Sequence, residues 1–591
     1  SLVIETGGNN VDITGLIGNA GTALGAVTIN SSGAGTVALA GIGTSNAAGV
    51  TGATAIGNNN TATITLDGTV YKTTGNQTYT AATGDENIII TSGGTAAVAI
   101  TTAGGNIEFA TSGVDLQNDN TTTITSGGGT VSFGADLESG DGGNDDLLVI
   151  SSGAGDVTFT GAIGVTHELG GLDVNATTAG SGDITFSGNI GASGGSAQPG
   201  VFGTTAIGTT TTENVHFAGT LYSFDGGTTT ITATTDSGSG DDENIEVGAA
   251  ATFKAVGEGL TFAGGKIDLA DGANLTVTNT NGAISISGIA GASDETVSID
   301  AGTSTVALGA VGDSDGTEIH TLEVTGDGGI TLSGSIYTSS DATSTADITF
   351  NDTVKIDGTV VIDSNDDARD GTITFTTGIE GLDASGDNLT IEGGTAAVTL
   401  VPIGVNTALS SLTIANASTS TATITVPNIG SGAIGNVAGA GVTGAVSIGN
   451  TSADSIVMSG DIYKTGGAVT LTTEGGNNAA DIEIDFTKEA AVFIATSGDN
   501  VSLVGGDVSL ADGSHLTIDT NIADSGETNG GNISIAGGID GSADENLTLD
   551  AHSTGTGTIT LAKVGQGEQT GITASEINTL TATAGGGITL G

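Results

Sequence analysis

Acidic residues clustered at turns are the side chains of this sequence best suited to binding chemistry. The segment 363–370 (DSNDDARD) contains Asp363, Asn365, Asp366, Asp367 and Asp370, and a second cluster contains Asp313, Asp315 and Glu318. Carboxylate and amide oxygens at short spacing on a turn are the ligands that Ca²⁺ prefers. The first cluster begins like a D-x-N-x-D calcium loop but lacks the Gly and the terminal Glu of that motif. The sequence therefore raises Ca²⁺ as the cofactor to test at these positions, with ordinary Gly-Asp and Asp-Asp turn formation as the alternative.

The sequence shows no recognisable motif of a catalytic site. The five histidines are scattered, without the spacing of a metal site or a catalytic triad; they are His167, His216, His320, His515 and His552. A polysaccharide-degrading β-helix needs clustered carboxylates beside basic and aromatic groups that hold sugar, yet the chain has one Arg (Arg369), no Trp and five Tyr. We therefore predict that the protein is not an enzyme.

The charge balance narrows the class of partner. The 591 residues include 66 acidic and eight basic side chains, for a net charge of −58. Binding to nucleic acid or to an anionic membrane surface is disfavoured, because both need clustered Lys and Arg. No apolar run reaches the ~18–20 residues of a membrane span, so no direct membrane insertion is expected. The acidity has two compatible interpretations. In one, salt or divalent cations screen the repulsion between the carboxylates, and in the other, the charge simply keeps the protein soluble.

Short alternating strands are the elements that must position these turns. Four-residue units such as Asp183–Phe186 (DITF), Thr372–Phe375 (TITF) and Asn532–Ile535 (NISI) alternate apolar and small polar residues between turn signals. Period-two alternation predicts half-buried β-strands, and no 3.6-residue periodicity is sustained. With 104 Gly, no Cys and 3% aromatic residues, the core must be narrow. Threonine runs such as Thr121–Thr125 could form Thr ladders, although their spacing is too irregular to predict one.

A Gly-x-x-Tyr motif marks a longer repeat. It occurs at Gly68–Tyr71 (GTVY), Gly219–Tyr222 (GTLY), Gly334–Tyr337 (GSIY) and Gly460–Tyr463 (GDIY). We predict that each tyrosine fills one corner of a coil in a core of otherwise small residues. A role in adhesion or lateral contacts is the alternative.

Acidic turns that lead into strands mark the same repeat, as at Asp145–Ile150 (DDLLVI) and Ala543–Asp550 (ADENLTLD). They divide the chain into super-repeats 1–146, 147–295, 296–388 and 389–546, with a partial one at 547–591. Tandem β-sandwich domains keep a near-constant length, whereas a solenoid tolerates gain or loss of coils. The unequal lengths therefore favour one all-β, elongated parallel β-solenoid with almost no helix. At roughly 20–25 residues per coil, about 25 coils are expected.

The repeats resemble those of a known family. The stretch Gly68–Thr80 (GTVYKTTGNQTYT), followed by Gly84–Ile90 (GDENIII), resembles the repeats of filamentous-haemagglutinin-like giant bacterial surface proteins. The resemblance extends over essentially the whole chain through low-complexity motifs. It implies a right-handed parallel β-helix, export to the cell surface, and an adhesive or structural role.

Two functions follow as hypotheses. The first is a non-enzymatic extracellular structural protein of a bacterial cell surface that self-associates into a filament, sheath or surface layer. A repeat pattern that begins and ends mid-repeat motivates it. The second is the stalk of a giant adhesin in attachment or biofilm formation, with surface polysaccharide or a neighbouring or host cell surface as partner. A parent chain with many more such repeats and a distinct tip would favour the stalk.

Overall fold

The computed structural model is built of parallel β-strands, and it contains no helix among the residues that it describes. Those residues are 1–18, 21–84, 86–140, 145–175, 181–192, 200–234, 245–292, 294–313, 316–339, 345–364, 370–383, 385–394, 396–415, 423–432, 439–451, 455–473, 483–521, 529–541, 544–564 and 577–591. The described residues form a parallel β-solenoid, the fold class that the sequence predicted, with about 19 turns. No helix in the described part of the chain is long and apolar enough to cross a membrane.

Strands of two to eight residues follow one another throughout the described chain. The first 28 are β1 Leu2–Thr6, β2 Val11–Ile13, β3 Val27–Ser31, β4 Thr36–Leu39, β5 Thr54–Gly57, β6 Thr63–Leu66, β7 Val70–Lys72, β8 Gln77–Thr80, β9 Ile88–Ile90, β10 Val98–Thr101, β11 Ile107–Ala110, β12 Val114–Leu116, β13 Thr121–Thr125, β14 Val131–Phe133, β15 Leu137–Ser139, β16 Leu147–Ser151, β17 Val157–Phe159, β18 Gly171–Val174, β19 Ile184–Phe186, β20 Thr205–Ile207, β21 Val215–Phe217, β22 Leu221–Asp225, β23 Thr229–Ala233, β24 Ile245–Val247, β25 Ala251–Val256, β26 Leu260–Gly264, β27 Ile267–Leu269 and β28 Leu275–Asn279. The remainder are β29 Ile284–Ala290, β30 Thr296–Asp300, β31 Val306–Val311, β32 Thr321–Thr325, β33 Ile330–Leu332, β34 Ile336–Tyr337, β35 Ile348–Phe350, β36 Val354–Ile356, β37 Thr359–Asp363, β38 Ile373–Phe375, β39 Ile379–Gly381, β40 Asn388–Glu392, β41 Val398–Thr399, β42 Ser411–Ala415, β43 Thr423–Val426, β44 Val446–Ile448, β45 Ser455–Met458, β46 Ile462–Lys464, β47 Val469–Thr472, β48 Glu483–Phe486, β49 Ala491–Ala495, β50 Val501–Val504, β51 Asp507–Leu510, β52 His515–Asp519, β53 Ile533–Asp540, β54 Asn546–Ala551, β55 Thr558–Val564, β56 Thr579–Ala584 and β57 Gly587–Leu590.

The chain forms two compact units, one of residues 1–289 and 299–304 and one of residues 290–298 and 305–591. In the first unit, strands pair in parallel into three stacks. The first stack is β1, β3, β5, β8, β11, β14, β17, β19, β21, β24 and β27. The second is β7, β10, β13, β16, β18, β20, β23 and β26. The third runs through β2, β4, β6, β9, β12 and β15, then single bridges at Ile163 and Ile190, then β22, β25 and β28.

The second unit repeats this plan. Its first stack is β37, β40, β42, β44, β47, β50, β53, β55 and β57. Its second is β32, β35, β38, β41, β43, β45, β48, β51 and the end of β53. Its third is β31, β33, β36 and β39, then bridges at Ile403 and Ile429, then β46, β49, β52, β54 and β56.

Alternation along each strand builds the core of a unit. In β19, Ile184 and Phe186 are buried while Thr185 between them is half-exposed, because successive side chains point to opposite faces of a strand. Aromatic residues then stack from turn to turn. In the first unit, the rings of Tyr79, Phe109, Phe133, Phe159, Phe186 and Phe217 form one column with centroids 5.0–5.3 Å apart and interplanar angles of 6–14°. This spacing is slightly larger than the distance of about 4.8 Å between neighbouring strands, so strand pairing brings the rings into stacking distance.

The turns are longer than the sequence analysis predicted. Between paired strands, the distance along the chain from one residue to its partner ranges from 22 residues, between Ile245 and Ile267, to 34 residues, between Leu412 and Val446. The expectation of about 25 coils of 20–25 residues was therefore wrong. Corner loops lengthen the turns without disturbing the strand register, because the stacks constrain only the strands.

Candidate functional site

A pinched corner in the second unit joins Ser364 to Gly371, and most of the predicted acidic segment lies between these two residues in the sequence. Ser364 Oγ donates to the carbonyl of Gly371 at 2.7 Å, and the Gly371 amide donates to the carbonyl of Ser364 at 3.1 Å. Asp363 ends β37 on one side of this pinch, and Asp370 lies on the other side. Asn365, Asp366 and Asp367 lie outside the described residues.

The second predicted cluster is described only in part, because Asp315 lies outside the described residues. Glu318 is 3% exposed, and its Oε1 accepts a hydrogen bond from the Gly316 amide at 3.2 Å. Asp313 is half-buried. Among the described carboxylates, neither Asp313 with Glu318 nor Asp363 with Asp370 belongs to a group of three that could share a cation. Calcium binding at the eight named positions stays a prediction.

The second unit brings together three other carboxylates, which the sequence analysis did not name as a site. Asp512, Asp544 and Glu545 each offer one oxygen, and these oxygens lie within 4.8 Å of one another. Asp512 and Asp544 are exposed, whereas Glu545 is buried. The Gly513 amide donates to Asp544 Oδ1 at 3.2 Å. Three hard oxygen ligands at this separation could hold a divalent cation such as Ca²⁺, although exposed acidic groups also cluster without one.

The three carboxylates repel one another when all of them are ionised. A side-chain hydrogen bond with Asp544 and the negative charge of that residue raise the pKa of Asp512. The three carboxylates belong to two acidic segments of the sequence, 510–513 (LADG) and 543–550 (ADENLTLD). These segments lie on successive coils of the solenoid, since His515 pairs with Asn546. The sequence alone does not give the number of residues per coil, so it does not predict that these two segments lie next to each other.

Two other acidic side chains have structural roles. Glu138 is 5% exposed and its carboxylate accepts hydrogen bonds from the amides of Val165, Thr166 and His167 at 3.1, 3.0 and 2.9 Å. Burial raises the pKa of Glu138, and these hydrogen bonds oppose that shift. In the second unit, Glu380 caps the loop that follows Ile403 in the same way, through the amides of Asn406 and Thr407. Both carboxylates therefore stabilise the backbone of a corner loop on the next turn.

The tyrosines of the Gly-x-x-Tyr motif are core residues at three of four positions. Tyr71, Tyr222 and Tyr463 are at most 1% exposed, and each hydroxyl accepts a hydrogen bond from the amide of the motif glycine at 2.6–2.8 Å. Tyr337 differs, because Ile336 takes the buried position and Tyr337 is half-exposed. The predicted corner-filling role is confirmed for three tyrosines and wrong for Tyr337. A shift of one residue along a strand turns a side chain to the opposite face.

Ile-Gly pairs accompany the three buried tyrosines, and the sequence analysis missed them. In bridge order, Ile17 and Ile42 precede Tyr71, Ile163 and Ile190 precede Tyr222, and Ile403 and Ile429 precede Tyr463. The glycine after each isoleucine has a positive φ, between 63° and 88°. At Gly404 (φ 63°), an added Cβ would lie 2.1 Å from the carbonyl oxygen of Gly441. This left-handed conformation and close approach require glycine.

The histidines make local contacts. His216 Nδ1 lies 2.6 Å from Glu246 Oε2 on the adjacent strand, and both side chains are about one third exposed. His515 Nδ1 lies 2.8 Å from Asn546 Nδ2, also on the adjacent strand. Such exposed cross-strand pairs contribute little to stability, about 0–1 kcal/mol. His552 Nε2 lies 3.0 Å from Thr554 Oγ1, two residues further along the chain, in an exposed contact.

No family model, curated protein or solved structure matches this chain.

Proposed function

We propose that this chain is a non-enzymatic structural protein of a bacterial cell surface, exported from the cell, whose solenoid units pack or stack into a filament, sheath or surface layer. The observation that carries the proposal is the use of the potentially reactive side chains in building the solenoid. Three repeat tyrosines fill corners, and the buried Glu138 and Glu380 cap loops. The repeats then present regular strand faces to solvent, and such faces suit assembly with other copies better than catalysis.

The net charge sets the condition for assembly. With −58 charges on 591 residues, two copies repel each other at low ionic strength. Salt shortens the range of this repulsion to about 8 Å at physiological ionic strength, and divalent cations bound between carboxylates reduce it further. Assembly is therefore expected to depend on salt, and on Ca²⁺ if the acidic turns bind it.

Electron microscopy combined with sedimentation of the purified chain tests this function. We expect discrete particles at low salt with a chelator, and ordered filaments or sheets at physiological salt with millimolar Ca²⁺. Millimolar Mg²⁺ and a matched ionic strength of NaCl are the controls that separate calcium binding from screening. Single particles under every condition would contradict the proposal.

A stalk segment of a giant adhesin is the second candidate. It is favoured by the carboxylates at outward positions of the second unit, such as Asp485, Asp507 and Asp519, all half-buried on their strands. Such faces stay solvated and keep neighbouring copies apart. Persistently single particles, together with a parent gene that encodes many further repeats and a distinct tip, would support this candidate over the first.

A further inference from the structure

One face of the second unit has no charged residue over six consecutive turns. We call it the Ser/Thr face, and it consists of residues 411–415, 446–448, 469–472, 501–504, 533–535 and 558–561 on the first stack. None of these residues is Asp, Glu, Lys, Arg or His. The central outward positions are in direct register from turn to turn: Thr413, Ser447, Thr470, Ser502, Ser534 and Thr560.

The alternation of burial places these hydroxyl side chains on the outside. On β47, Val469 and Leu471 are at most 3% exposed, whereas Thr470 between them is half-exposed. The same alternation holds on β50, where Val501 and Leu503 are at most 1% exposed. The Ser/Thr face is therefore a column of small hydroxyl groups above an aliphatic core.

The other two faces carry carboxylates in the later of these turns, whereas β43 and β45 at the start of the second stack carry no charged residue. The second stack carries Asp485 on β48 and Asp507 on β51, and the third carries Asp519 on β52 and Asp550 on β54. All four carboxylates are at half-buried outward positions. In a chain with 66 acidic residues, a face of six strands without one is a marked segregation of charge.

We propose that the Ser/Thr face docks on the Ser/Thr face of a second copy of this chain. The proposal rests on the self-association proposed above and names the surface through which it occurs. Two copies that meet through the carboxylate-bearing turns of either other face would bring like charges together, which disfavours that contact. Two copies that meet through the Ser/Thr face avoid that juxtaposition.

The repeat distance of the face also favours a second copy. The central hydroxyl side chains recur once per turn, at about 4.8 Å. A partner with the same rise per turn can interdigitate its side chains along the whole column, as sheets with short side chains do when they pack about 10 Å apart. A second copy supplies this rise by construction, and an irregular protein surface does not.

The area indicates how firm the contact is. Six strands at about 4.8 Å, each about 13 Å long, give about 370 Å² on each copy. The total of about 750 Å² is below the size of a stable dimer interface and typical of weak contacts. The contact is therefore weak between two chains, and it gains strength in an assembly where neighbouring contacts act together.

A paired charge substitution tests the proposal. Thr413→Glu with Thr470→Glu places two carboxylates on the Ser/Thr face, and Thr517→Glu with Thr548→Glu places two at paired outward positions of the third stack. Both variants have the same net charge, and circular dichroism checks that both are folded. By analytical ultracentrifugation at physiological salt, we expect self-association of the first variant to be weaker than wild type by more than about tenfold. The second should associate within about twofold of wild type.

Cysteine cross-linking supplies an independent measurement, because the chain has no Cys. Thr470→Cys and Thr517→Cys each introduce one thiol, which a short bis-maleimide can join between two copies. We expect cross-linked dimers from Thr470→Cys at a yield several times that from Thr517→Cys.

The outcomes separate this inference from the function on which it rests. If wild type associates and the Ser/Thr-face variant associates equally well, the docking face is wrong and the function stands. Equal cross-linking yields from the two thiols would also overturn the docking face. If wild type does not associate under any condition, the self-association function fails and the docking face fails with it.

Discussion

The hydroxyl of Tyr463 accepts a hydrogen bond from the backbone amide of Gly460 at 2.7 Å, three residues earlier in the chain. The same hydroxyl donates to the carbonyl of Val426 on the preceding turn at 3.0 Å. Burial raises the pKa of Tyr463 well above its ordinary value, so the hydroxyl stays protonated and remains a donor. The spacing of the Gly-x-x-Tyr motif is therefore the geometry of a hydrogen-bonded corner.

Removal of this hydroxyl tests the corner. We expect Tyr463→Phe to lower the free energy of unfolding by about 1–3 kcal/mol, because it leaves the buried amide of Gly460 without its hydrogen-bond partner. Urea denaturation followed by circular dichroism measures the change. Tyr337→Phe is the matched control, since Tyr337 is half-exposed, and it should change stability by less than about 0.5 kcal/mol. Equal effects of the two substitutions would contradict the stabilising role of the Tyr463 hydroxyl in this corner.

The Ile-Gly loops predict a glycine requirement. We expect Gly404→Ala to destabilise the second unit by at least about 1–3 kcal/mol, because φ is +63° and the new Cβ would meet the carbonyl of Gly441. In Gly378→Ala, the nearest atom to the new Cβ lies 3.8 Å away, so that variant should match or slightly exceed wild type. The midpoint of thermal unfolding distinguishes them, and a tolerated Gly404→Ala would show that the loop relaxes.

The half-buried carboxylate of Asp485 predicts a pH dependence. Burial raises the pKa of Asp485, and a hydrogen bond from Ser509 partly opposes that shift. The folded state therefore holds this proton at a pH where the unfolded state, with a pKa of about 3.9, has released it. The stability that Asp485 contributes is present below pH ~4 and is lost as pH rises through the folded pKa.

Asp485→Asn should consequently be more stable than wild type at pH 7, since it removes the desolvated charge and keeps an acceptor for Ser509. The difference should shrink toward zero as pH falls to about 4. Unfolding midpoints measured from pH 4 to pH 7 give the comparison. A difference that stays constant over this range would mean that ionisation of Asp485 is not its cause.

The carboxylates of Asp512 and Asp544 predict a response to divalent cations. We expect Asp512→Asn to be at least as stable as wild type in a chelator, because it removes repulsion with Asp544. Added Ca²⁺ should raise the unfolding midpoint of wild type more than that of this variant. Asp327→Asn removes one exposed charge elsewhere and should respond to Ca²⁺ as wild type does. An equal response of all three proteins would indicate general screening.

The strands were predictable because alternation is a local property of the sequence. Thr372–Phe375 was expected to form a strand, and β38 spans Ile373–Phe375 with the expected burial. The repeat tyrosines were assigned to the core from spacing alone, which failed at Tyr337. There the strand is in the other phase, and phase depends on the pairing of Ile336 with Val311 on another turn.

Local pattern by itself determined that this chain is all-β with a thin aliphatic core and acidic turns, because period-two strands and turn residues act over a few positions. The unequal lengths of the super-repeats then favoured a parallel β-solenoid over separate domains. Only the tertiary structure decided which residues of different turns meet. Asp512 lies close to Asp544, and Thr470 stacks on Ser447, because strands of successive turns pair in register even though the turns differ in length. Turn length depends on corner loops that short-range patterns do not determine, so both the carboxylate group and the Ser/Thr face became visible only in the folded chain.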